Sequence, residues 1–260
     1  MFGRGVIVGL SLICAIVFSC AFVAPGASAL GTTAFTCVEK AAEEGFSDEH
    51  CDAAATGGSV QFVHKEINSG AAIVVSNEKT AEETKGSAPT VLRWTISGVS
   101  FEVACTKVSG TGGVENKVEK TQAVGTSQIE YTGCTVTKPT KCRVKEPIAQ
   151  NSNFTTYEAA EAEMGVELSP KEKGVFLSLV LENNGAEQCG AKQTYTFSGN
   201  AQGTPGGSAN GSGATLTFTE GMGSLSIGGS PATLLSTITL QTKKLFGLPE
   251  DPIIFTTTGK

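Results

Sequence analysis

The chain has 260 residues, with 19 basic and 25 acidic side chains, a formal net charge of −6 and 40% hydrophobic residues. That balance gives no electrostatic basis for nucleic-acid binding, which rests on cations clustered against phosphates. The length and apolar content suffice for an ordinary hydrophobic core.

Met1 to Ala29 has the three-part layout of an export signal: Arg4, an apolar run from Val6 to Val23, then Pro25-Gly26-Ala27-Ser28-Ala29 with small residues before a cut after Ala29. An uncleaved anchor, or a lipoprotein attached through Cys20, are the alternatives. Cleavage leaves residues 30–260, with 18 cations against 25 carboxylates. No later run approaches membrane-spanning length. The expected location is therefore secreted or cell-envelope, outside the cytoplasm.

Cys37, Cys51, Cys105, Cys134, Cys142 and Cys189 remain after cleavage, and an even set in an oxidising compartment predicts three disulfides. Cys37–Cys51 and Cys134–Cys142 are the short-range choices, leaving Cys105–Cys189. The rival set joins Cys105 to Cys134 and Cys142 to Cys189.

Helix formers over Val38 to Glu44, stopped by Gly45, and a second turn starting at Ser47 predict a helical lid over 30–58, closed by Cys37–Cys51. From residue 59 the pattern turns to short β-branched and aromatic runs. Val60–His64, Ala72–Val75, Val91–Ile96 and Val99–Cys105 read as strands, and alternation places Cys105 inward. Residues 109–128, glycine-rich and charged, read as loop or weak edge strand. Ile129–Thr132, Cys134–Val136 and Cys142–Val144 follow, with Pro139 in a turn. Residues 155–168 read as a strand pair with a short helical turn. Later strands fall at 175–181, 194–199, 214–219, 224–227, 233–241 and 253–257, and the Gly/Ser/Asn stretch 200–213 reads as a flexible connection. The fold expected is all-β, an antiparallel sandwich or barrel-like sheet in a single domain over 30–260, with the small lid at 30–58 and the sheet body at 59–260.

Phe35-Thr36-Cys37-Val38, Gly45-Phe46-Ser47-Asp48-Glu49-His50-Cys51, Tyr131-Thr132-Gly133-Cys134-Thr135-Val136 and Cys142-Arg143-Val144 together resemble a class of secreted bacterial proteins with no known function. The resemblance implies export and β structure, and brings no site residues with it.

Catalytic groups are sparse. His50 and His64 are the only imidazoles and no Gly-x-Ser-x-Gly elbow occurs, so a hydrolytic triad has little to draw on. Cys37, Cys51, His50 and His64 fit no compact metal-ligand spacing. Gly110, Gly112 and Gly113 lack the rest of a phosphate loop. No cofactor is expected. Glu102 and Glu130 alternate against inward faces and read as solvated, as does the Glu158, Glu161 and Glu163 cluster. Trp94, Phe62, Phe101, Tyr131 and Tyr195 could form a carbohydrate platform, but their strand positions favour core packing. The leading expectation is a non-enzymatic structural or binding protein whose partner is a cell-envelope or glycan component. A polysaccharide hydrolase using paired Glu and a small apolar-ligand carrier are the alternatives.

Overall fold

The computed structural model describes residues 33–40, 42–48, 51, 53–67, 70–77, 90–117, 122–158, 164–172, 174–184, 189, 192–206, 215–243 and 249–256. The expected signal segment lies outside them, as do His50, Glu161 and Glu163. Eighteen strands follow in chain order: β1 (Thr33–Glu39), β2 (Glu44–Phe46), β3 (Ala54–Thr56), β4 (Phe62–Glu66), β5 (Ala71–Ser76), β6 (Thr90–Ile96), β7 (Val99–Asn116), β8 (Ala123–Lys138) and β9 (Cys142–Val144). Then come β10 (Ile148–Glu158), β11 (Met164–Pro170), β12 (Leu177–Asn183), β13 (Lys192–Ser198), β14 (Ala201–Gly206), β15 (Thr215–Gly223), β16 (Ser226–Ile227), β17 (Ser230–Lys243) and β18 (Pro249–Thr256). Among the described residues there is no α-helix, only one 3-10 turn at Gly57–Ser59.

The pairings close on themselves. β5 pairs with β7, β7 with β8, β8 with β10, β10 with β11, β11 with β14, β14 with β15, β15 with β17, and β17 returns to β5, every pair antiparallel. This is an eight-stranded ring, here the lower ring. Closure removes free edges, the usual hazard of an antiparallel sheet. The long strands β7, β8 and β17 and the start of β10 run on into an upper ring, completed by β6, β12, β13 and β16. The sandwich-or-barrel alternative thus resolves to a barrel-like closure built twice on shared strands.

The two interiors differ. Ile73, Val75, Ile129, Leu168, Leu216, Ile238 and Leu240 fill the lower ring with Phe154. The space left between them is about 10 Å³, enough for one water at most. The upper ring holds Trp94 stacked on Phe101 (centroids 5.2 Å, planes 6° apart), with Phe197 edge-on to Trp94 and Tyr195 tilted against both stacked rings. Between the rings lies a polar waist. Tyr131 Oη donates to Gln150, Gln150 Nε2 donates to Ser152 Oγ at 3.0 Å, and Ser152 bonds Ser127 at 3.0 Å. Across the chamber Thr90 and Ser236 share a bond of 2.7 Å.

At this waist the inward face of β7 slips from Phe101, Val103 and Cys105 to Val108 and Val114. Asn77 bridges the gap where β5 ends and β6 has not begun: its amide donates to the Thr106 carbonyl and accepts from the Val108 N–H. Opposite Thr106 sits Gly133 at φ +63°, where a Cβ would collide with the Thr106 side chain.

The N-terminal helical lid is not found among the described residues. Val38 and Glu39 belong to β1, which pairs with β4 and β18, and β2 and β3 extend the same small sheet. Buried Ala34, Phe35 and Cys37 anchor β1, so burial overrides the local helix preference of Val38–Glu44. Ser47 and Asp48 shape a tight turn instead, with the Ser47 N–H bonded to the Ala53 carbonyl and the Asp48 carboxylate accepting from the Ala53 N–H at 2.6 Å.

Residues 109–128 are likewise not a loop where they are described. β7 runs to Asn116 and β8 starts at Ala123, because Gly112 sits so close to the facing strand that a Cβ would strike the Thr126 carbonyl. The Gly/Ser/Asn stretch begins with a strand, β14, inside the ring.

The disulfides are Cys37–Cys51, Cys105–Cys134 and Cys142–Cys189. The favoured set is therefore corrected in two of its three pairs, and the rival set holds. Continuous ladders are the reason: β7 and β8 pair in register so that Cys105 faces Cys134 directly. Cys142 heads β9 opposite Asn183 at the end of β12, and Cys189 follows Asn183 by six residues in the sequence.

Candidate functional site

Alternation along β6 and β7 turns Trp94 and Phe101 inward and leaves their neighbours Arg93 and Glu102 facing out. The hairpin joining the two strands is the two-residue turn Ser97-Gly98, both at positive φ, and it fixes Arg93 opposite Glu102. Glu102 in turn faces Lys138 on β8, and Arg93 faces Thr233 on β17. Four strands of the upper ring therefore carry one outward row, Thr233–Arg93–Glu102–Lys138.

A groove of about 510 Å³ lies over this row. Arg93, Glu102 and Lys138 line it with the hydroxyl-bearing Thr95, Ser100 and Thr233, and Glu220 closes it from β15. Arg93 Nε bonds Glu102 Oε2 at 2.7 Å, Thr137 Oγ1 donates to Glu102 Oε1 at 2.6 Å, and Lys138 Nζ stands 3.8 Å from Oε2. The Thr137 hydroxyl above all, with the Arg93 guanidinium and the Lys138 ammonium, holds the Glu102 carboxyl below its ordinary range, although burial pushes it the other way. Glu102 is thus a fixed anion whose oxygens are already engaged. Its engagement orients Arg93 through Nε alone, leaving both terminal guanidinium nitrogens without a protein partner among the described residues. The Glu220 carboxylate is likewise unbonded there.

Other residues singled out in the sequence lie elsewhere. Trp94, Phe101, Tyr131 and Tyr195 are all buried, and Phe62 packs half-buried against Cys37–Cys51, so these rings build cores and no exposed platform. Glu130 is exposed on β8, away from the groove. Glu158 ends β10. His64 lies half-buried between Phe35 and Phe46, with ring centroids at 5.5 and 4.5 Å, opposite Cys37. Cys37 and Cys51 are bonded to each other, so neither thiolate is available to a metal.

Arg93, Lys138 and Glu220 had not been singled out. The turn signal Ser97-Gly98 and the alternation around Trp94 would have found the first of them. Nothing local announces Glu220, which reaches the groove from a strand more than 120 residues further along the chain.

Three disulfides are the mark of an oxidising compartment. No helix among the described residues is long and apolar enough to cross a membrane. Outward positions on β7 and β8 such as Thr111, Glu115, Thr126 and Glu130 are polar, the reverse of a lipid-facing barrel wall. No family model, curated protein or solved structure matches the chain.

Proposed function

We propose that this is an exported, non-enzymatic binding protein of the cell exterior, holding a polar glycan of the envelope in the groove over β6, β7, β8 and β17. The observation that carries the reading is the oriented Arg93, fixed at Nε by Glu102 with its outer nitrogens unspent, in a groove rich in hydroxyls. A guanidinium held this way is preorganised to donate to oxygens without paying for its own ordering. The filled lower ring speaks against an enclosed apolar ligand.

One observation favours the hydrolase alternative: Glu102 and Glu220 line the same groove. Retaining and inverting hydrolysis both need one carboxyl with a raised pKa to act as general acid. Glu102 is shifted the other way. The acid would then have to be Glu220.

The test is to incubate the purified, oxidised protein with cell-wall and glycan fractions and measure both retention and released product. Retention without release, reduced about tenfold or more by Arg93→Gln through loss of a charge-assisted bond, is the expected result. Product release that disappears in Glu220→Gln would replace this reading with the hydrolase.

A further inference from the structure

The outward row Arg93–Glu102–Lys138 has a counterpart. On β9, β12 and β13 the registered row is Arg143–Glu182–Lys192, again a carboxylate between an Arg and a Lys. Arg143 Nη2 bonds Glu182 Oε2 at 2.7 Å with the Arg143 side chain 69% exposed. The Glu182 carboxyl is held low by the Arg143 bond, and by the charges of Arg143, Lys192 and Lys145. One carboxylate thus faces three cations. Lys138 and Lys141 flank the short turn that joins the two rows around the upper ring.

The charge is lopsided. On the upper-ring strands and turns, Arg93, Lys107 and Lys138 precede Lys141, Arg143 and Lys145, and Lys192 follows on β13, seven cations in all. Five carboxylates share that region: Glu102, Glu130, Glu146, Glu182 and Glu220. The described part of the region is therefore net +2 in a chain of net −6, which leaves −8 for everything else. Glu187, between β12 and β13, and residues 78–89, between β5 and β6, lie outside the described residues and are not counted. Screening over about 8 Å at physiological salt separates such a pole from the acidic remainder.

We propose that this cationic belt docks an anionic glycan, a polysaccharide bearing carboxylate, sulfate or phosphate groups, which continues from the groove across Lys138 and Lys141 onto Arg143, Lys145 and Lys192. Charge complementarity selects the anion, and the oxidising compartment marked by three disulfides selects glycan over nucleic acid. The inference rests on the binding reading above, but Arg143, Lys145 and Lys192 lie outside the groove, so each idea fails separately.

The experiment compares retention of the oxidised full chain on immobilised dextran sulfate, unmodified dextran and duplex DNA between 50 and about 500 mM NaCl. Dextran sulfate is expected to hold the protein at low salt and release it at high salt, with unmodified dextran holding little. Combining Arg143→Gln, Lys145→Gln and Lys192→Gln is expected to weaken retention on the order of tenfold or more. The charge-keeping set Arg143→Lys, Lys145→Arg and Lys192→Arg should restore it, and Lys117→Gln with Lys243→Gln, on lower-ring strands and their ends, should leave it unchanged. Equal retention by unmodified dextran, stronger retention by DNA at matched charge, or a triple variant that binds like the parent overturns the belt. Loss of binding in Arg93→Gln with an unaffected triple variant would leave the groove standing and remove the belt alone.

Discussion

The upper and lower rings share β7, β8, β10 and β17, yet they are held together by different means. In the lower ring eight strands pair continuously around an aliphatic interior, and no disulfide among the described residues crosses it. Pairing in the upper ring is shorter, down to a single registered pair between β10 and β12 and two between β13 and β16. There an aromatic cluster and two disulfides, Cys105–Cys134 and Cys142–Cys189, supplement the ladder. The groove and most of the cations among the described residues also sit on this end. The comparison teaches that the less completely laddered end is the one stapled covalently, so it can carry an open, polar outer face without depending on backbone pairing alone.

The sharpest way to break the comparison is to empty each interior in turn. Phe197→Ala in the upper ring should cost about 3–5 kcal/mol, since Phe197 is fully buried and packed edge-on to Trp94. Leu216→Ala in the lower ring should cost about 2–5 kcal/mol. Because four strands run through both rings, urea unfolding of each variant should stay a single transition with a lowered midpoint. Two separate transitions, one per variant, would mean that the rings fold independently. Next in size are the staples. Replacing Cys142 and Cys189 by Ser opens a loop 47 residues long, for which chain entropy gives about 4 kcal/mol. Replacing Cys105 and Cys134 opens one of 29 residues, about 3.5 kcal/mol, and should cost less again because that hairpin is already held from Glu102↔Lys138 to Asn116↔Ala123. A larger loss from the second pair than the first would undo the argument about ladder and staple.

The two ends were not equally legible in the sequence. Strands with clean alternation, such as Val99–Cys105 and Ile129–Thr132, declare their inward faces, and Cys105 does point in. Ser97-Gly98 carries enough turn chemistry to place Arg93 against Glu102. Composition misleads where the lower ring is tightest: Gly110 and Gly112 look like loop residues but are small because β8 passes against them. Misjudging that stretch hid the long β7–β8 ladder, and with it the Cys105–Cys134 pair. The helix formers of Val38–Glu44 mislead in the other direction, since the pairing of β1 with β4 and β18 is contributed by distant residues. Glu220 and ring closure itself depend on contacts between strands far apart in the chain, which no local window holds.

The smallest of these effects probes the waist where the rings meet. Tyr131→Phe removes the hydroxyl that donates to Gln150 and leaves that amide oxygen buried without its donor, a loss of about 1–3 kcal/mol at neutral pH. The same side chain adds a pH signature. Burial pushes the Tyr131 phenol well above its ordinary value of 10.0, so the folded state favours its neutral form. For a group whose folded pKa is raised, the stabilisation is complete below the unfolded value and is lost as pH climbs from there toward the folded one. Parent stability should therefore fall from about pH 10 upward. The stability gap between parent and Tyr131→Phe, measured by urea unfolding at successive pH values, should stay constant up to that point and then close. A gap unchanged to pH 11.5 would mean that the phenol ionises in place, and the waist would then be wetter than a sealed partition between two cores allows.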